Sequence, residues 1–194
     1  MKAIAHWIAR TFALVGGLVL VALVFVTCIS VTGRALNTVA HLPFVKANLS
    51  WLSDLLLGVG VGPIVGDFEI IEAGIAFALF SFLPWCQANQ GHATVDIFTS
   101  YLSAGANRAL GLIWEVVLTG AIWLITWRLY HGMLDKLNTN ETTFLLGFPV
   151  WIAYAASLVA AVAASFVGVQ VIIERAQALI RRRDSFASEP GAGH

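Results

Sequence analysis

The chain has 194 residues, 59% of them hydrophobic and 11% charged, with a formal net charge of zero. Soluble domains carry about 25% charged residues, and a mean hydropathy of +0.83 makes lipid the natural solvent for most of this chain. The length suits one membrane domain, and a balanced charge with basic residues gathered near both ends excludes a nucleic-acid surface.

The first apolar run, between Arg10 and Arg34, holds no charge over residues 11–33 and is long enough for a bilayer core, which needs roughly 20 helical residues. It is too long for a signal-peptide core and no A-x-A site follows, so it reads as a retained helix. Residues 37–66 are too apolar for a plain loop. Leu49, Leu52, Leu55 and Leu56 recur at helical spacing, with Ser50, Ser53 and Asp54 on another face, which predicts an amphipathic interfacial helix in the first periplasmic loop. A second span is expected over 68–88, with Glu69 and Glu72 in its first turn, where the positive helix end favours them. Pro84 is expected to kink or end it.

Between spans two and three lies "LPWCQANQGHATVDIFTSYL", in which Cys86, His92 and Asp96 sit within eleven positions. A zinc site needs three or four ligands, and nucleophilic catalysis needs a third orienting group; neither is present. The segment therefore reads as a cytoplasmic turn, in which Thr94 or Asp96 caps a short surface helix and Gly105 leads into span three. Cys28 and Cys86 form no C-x-x-C and read as small hydrophobes.

Spans three and four are expected over 107–128 and 144–174, the fourth with room for an interfacial turn near Pro149. Glu115 is the one ionisable residue well inside a span, and no basic partner for it is visible within the spans, which makes it a functional candidate by position. Span four carries two small-residue rows: Ala156, Ala160, Ala164 and Gly168, and beside them Ala153, Ser157, Ala161 and Ser165. Such rows let helix backbones approach closely, either within the bundle or against a partner subunit. Residues 184–194, "DSFASEPGAGH", have the composition of a disordered cytoplasmic tail after a single 1–183 domain.

The fold class expected is therefore an all-α integral membrane protein with four transmembrane helices, an interfacial helix and a short surface helix. Lys2, Arg10, Arg108, Arg175, Arg181, Arg182 and Arg183 would lie on one side, against Arg34, Lys46, Arg128 and Lys136 on the other. The positive-inside rule then puts both termini in the cytoplasm. No phosphate loop, dinucleotide fingerprint or zincin motif appears. None of His6, His41, His92, His131 and His194 falls inside an expected span, which disfavours the alternative of a cytochrome-like redox subunit and leaves no cofactor expected.

"GDFEIIEAGIAFALFSFLPWCQANQGHATVDIFT" resembles the signature region of the small membrane subunit of tripartite ATP-independent periplasmic (TRAP) transporters. In that family an acidic pair opens span two, here Glu69 and Glu72. A G-H-x-x-V-D segment follows its end, here Gly91, His92, Val95 and Asp96. "TTFLLGFPVWIAYAAS" is similar to the family's entry to span four, with Thr143, Pro149 and Trp151. The resemblance covers about residues 10–175. It implies a non-catalytic permease subunit in the bacterial inner membrane. It also implies that this subunit scaffolds a large multi-span permease for sodium-coupled uptake of an organic acid, which a periplasmic binding protein delivers. Membrane lipids would be the remaining contacts.

Overall fold

The computed structural model describes residues 2–43, 51, 58, 62–89 and 104–187. Four long helices account for nearly all of them: α1 (Lys2–Ala40), α2 (Asp67–Ala88), α3 (Ala104–Thr139) and α4 (Val150–Ala187). Each contains a stretch long and apolar enough to cross a membrane. The expected interfacial helix, the surface helix after Gly91 and residues 188–194 lie outside the described residues.

At about 1.5 Å per residue, α2 with its 22 residues matches a hydrocarbon core of about 30 Å. The other three, with 36 to 39 residues, are longer than their apolar runs. Span three was expected to end at 128, yet α3 continues through Asp135 and Lys136 to Thr139, because helix does not stop where hydropathy falls. Gly105 is taken into α3 rather than turning the chain. Pro84 does not end α2, which runs on to Ala88 with Pro84 fully buried. Helix α4 likewise passes Arg183 and reaches Ala187. Span four starts later than 144, because residues 141–149 form the turn described below.

Packing makes a row rather than a square: α1 against α2, α2 against α4, and α4 against α3, with a lesser contact between α1 and α4. In its most apolar window, α4 has 39% of residues buried against 11% for α1, which places α4 at the centre. The α1–α2 seam follows a seven-residue period. Ala9, Gly16, Leu23 and Ser30 are buried on α1, and each step of seven along α1 meets a step of seven back along α2. A Cβ on Gly16 would stand 2.7 Å from that of Ser81, and one on Gly74 would stand 2.7 Å from Leu23 Cδ1. Ser30 Oγ meets Asp67 Oδ2 at 2.5 Å. A period of seven holds a seam against its neighbour in left-handed antiparallel packing, and small residues at the crossings bring the backbones close.

Four hydroxyls along these helices are satisfied internally. Thr27, Ser81, Thr126 and Ser165 each donate to the carbonyl four residues earlier, at 2.8 to 2.9 Å. Where water is absent, this lets a polar side chain sit in an apolar helix without a partner elsewhere.

Candidate functional site

Two polar constellations break the apolar bundle, one at the end away from the termini and one at the end near them. At the far end, residues 141–149 fold into a tight turn between α3 and α4. Thr143 N–H donates to the Phe148 carbonyl at 2.8 Å, and Val150 N–H to that of Glu141 at 3.0 Å. Phe148 N–H donates to Thr143 Oγ1 at 3.0 Å. Gly147 takes a left-handed φ of 63°, which a side chain would strain. Thr142 and Pro149 face each other across the turn, and α4 starts immediately after.

Glu69 fastens this turn to α2. Its carboxylate accepts from the Leu145 amide at 2.7 Å and the Leu146 amide at 3.0 Å, one on each oxygen. From the other side Leu146 lies over Gly66, the N-cap of α2, where φ is 76°. A Cβ there would stand 2.5 Å from Leu146 Cγ. Glu69 and Asp67 occupy the first turn of α2; Glu72, expected there too, lies one turn further on and is exposed. Asp67, which no sequence motif marks, is 6% exposed and gathers Ser30 with Arg34, whose Nη2 lies 3.3 Å from its Oδ2. Ser30 Oγ also accepts from Ile64 N–H at 3.3 Å, and the Arg34 guanidinium lies 5.7 Å from the Phe68 ring centre. Between α2, α3 and α4, below the turn, opens a cleft of about 850 Å³ that Glu72, Lys136, Tyr154 and Ser157 help to line.

Near the termini, Glu115 is 3% exposed. The expectation that it lacks a basic partner is corrected: Arg175 Nη2 stands 3.3 Å from its Oε2, and Arg175 Nη1 donates to the Gly111 carbonyl at 3.0 Å. By sequence alone Arg175 is a flank beyond span four. Because α4 remains helical there, the guanidinium instead lies against α3. Deeper along the same seam, fully buried Gln87 donates through Nε2 to Thr119 Oγ1 at 3.3 Å. Gly168 leaves room for both, since a Cβ there would stand 2.7 Å from Gln87 Nε2 and 2.8 Å from Thr119 Oγ1. Thr126 and Ser165 hydroxyls meet at 3.1 Å.

The small-residue rows therefore meet this chain's own helices over most of their length. Ala160, Ala164 and Gly168 are buried, as are Ser157, Ala161 and Ser165, whereas Ala156 is exposed. Trp151 is half-buried beside Pro149. Gly91, His92 and Asp96 lie outside the described residues. Among the described residues, no three His, Cys, Asp or Glu side chains gather as metal ligands would.

The chemistry of both constellations is that of fastening. The carboxylates of Glu69, Asp67 and Glu115 are taken up by amides, a hydroxyl and guanidinium groups, and the exterior is apolar from Leu14 and Leu18 on α1 to Trp123 and Leu124 on α3. Comparison with curated proteins and with solved structures gives no significant match. The sequence model of the family described as "Tripartite ATP-independent periplasmic transporters, DctQ component" matches residues 23–178, from mid α1 past Arg175, and so takes in both constellations. The chain belongs to this DctQ family and is a multi-pass membrane protein, the small permease subunit of a TRAP transporter.

Proposed function

We propose that this subunit is a fixed scaffold: it carries no substrate itself and holds the large permease subunit in place during sodium-coupled uptake of an organic acid. A periplasmic binding protein would deliver that acid, and both termini would lie in the cytoplasm of a bacterial inner-membrane complex. The observation that carries this reading is the set of four unbroken helices, clasped at one end by Glu69 and stapled near the other by Glu115 and Arg175. A transport path needs polar groups facing a cavity at mid-membrane, often on broken helices. Among the described residues, the polar groups buried in the bundle lie in helix–helix seams, apart from Ser157 at the cleft, and α1 to α4 run unbroken. Among the described residues, large apolar side chains stand exposed on all four helices, which leaves surface for a partner.

Fixity is measurable. Spin labels at the ends of α1 and α3 in the assembled complex should give the same distances in sodium, in sodium-free buffer and with loaded binding protein. A change of several ångströms that follows the transport state would overturn the scaffold reading.

A further inference from the structure

The cleft below the turn has a polarity gradient along the bundle axis. At its mouth are Glu69, Lys136, Glu141 and Thr142; half-way down are Glu72 and Tyr154; at its floor are Ala76, Phe80, Leu129 and Ser157. Its volume of about 850 Å³ is near the upper end of small-molecule sites, roughly 300–1,000 Å³. Two of its groups are unspent. Ser157 is 2% exposed, and its Oγ is buried without a hydrogen-bond partner. Glu72 makes no hydrogen bond or ion pair among the described residues. Glu69 is committed to the turn, and Lys136 donates one of its three N–H bonds to Glu141 Oε2 at 2.5 Å.

We propose that this cleft is a binding site for one phospholipid whose headgroup ends in a primary ammonium, a phosphatidylethanolamine. Three carboxylates and one lysine line the cleft, so its charge favours a cationic group and disfavours a net anionic lipid. The ammonium donates to Glu72. The phosphate takes the remaining N–H bonds of Lys136. Ser157, one helical turn deeper than Tyr154, donates to an ester carbonyl, and the acyl chains leave past Ala76 and Phe80 into the bilayer. A trimethylammonium has no N–H to give Glu72, so a choline headgroup loses the contact that the ethanolamine makes. The site does not depend on the transport role and would exist in a scaffold or in any other membrane subunit of this structure.

The test is native mass spectrometry of the full chain, purified with its large subunit, delipidated, and supplied with phosphatidylethanolamine, phosphatidylcholine or phosphatidylglycerol of identical acyl chains. One phosphatidylethanolamine per chain should be retained about tenfold better than either of the others. Glu72→Gln, an exposed change that leaves the melting temperature alone, should remove that preference. Ala76→Phe should abolish retention, and if it does not fold, Glu72→Gln alone carries the test. Equal retention of the three lipids, an unchanged preference in Glu72→Gln, or full competition by soluble phosphoethanolamine would each overturn the proposal.

Discussion

Replacing Arg175 by Met strands Glu115 at 3% exposure with neither its cation nor any other partner for its Oε2, and removes the donor to the Gly111 carbonyl. Removing one member of a buried pair costs about 3–5 kcal/mol, because the other is left as an uncompensated charge. Arg175 keeps 25% of its side chain exposed, so part of the pair is already screened, and the lower end, about 3 kcal/mol, applies. For a chain of this size each kcal/mol moves the melting temperature by about 2–4 °C, so Arg175→Met should lower it by roughly 6–12 °C. Intrinsic fluorescence of the seven tryptophans during heating in detergent reads this directly. The double variant Glu115→Gln with Arg175→Met removes both charges, and should recover about 2 kcal/mol of the loss as coupling between the sites. If the double variant melts at or below Arg175→Met, the two residues are not a pair and the staple between α3 and α4 is refuted.

Three further outcomes follow from the same contacts. Glu69→Ala should speed hydrogen exchange at the Leu145 and Leu146 amides, with Glu72→Ala as the unaffected control; equal protection in both would mean that Glu69 does not hold the turn. Gly168→Ala pushes a methyl group onto Gln87 and Thr119 and should cost about 1–3 kcal/mol, whereas Gly120→Ala, with nothing within 4 Å, should be neutral or stabilising by thermal melting. Gly66→Ala combines a left-handed backbone with a clash against Leu146. It should cost about 1–3 kcal/mol in the same melting assay.

The spans were legible because apolar runs of more than twenty residues leave helix as the one way to satisfy the backbone in lipid. Their ends were less legible, since α3 continues through a polar stretch that hydropathy scores as outside the membrane. The turn near Pro149 announced itself locally. What held it did not, because Glu69 and Leu145 are 76 positions apart, and nothing near Glu69 indicates which amides it reaches. Arg175 was hidden for a related reason: a basic residue after an apolar run reads as an end marker, and only the packing of α4 on α3 turns it towards Glu115. Asp67 and Ser30 could have been found by following the seven-residue seam of α1, on which Ser30 is the next buried step after Leu23.

The claim that this subunit scaffolds transport without performing it is tested most directly by sodium-driven substrate uptake into proteoliposomes. These would contain the large permease subunit with and without this chain, with loaded binding protein supplied outside. The account predicts uptake only when both membrane subunits are present, and none from this chain alone. Full uptake by the large subunit by itself, or any uptake by this chain by itself, would contradict it.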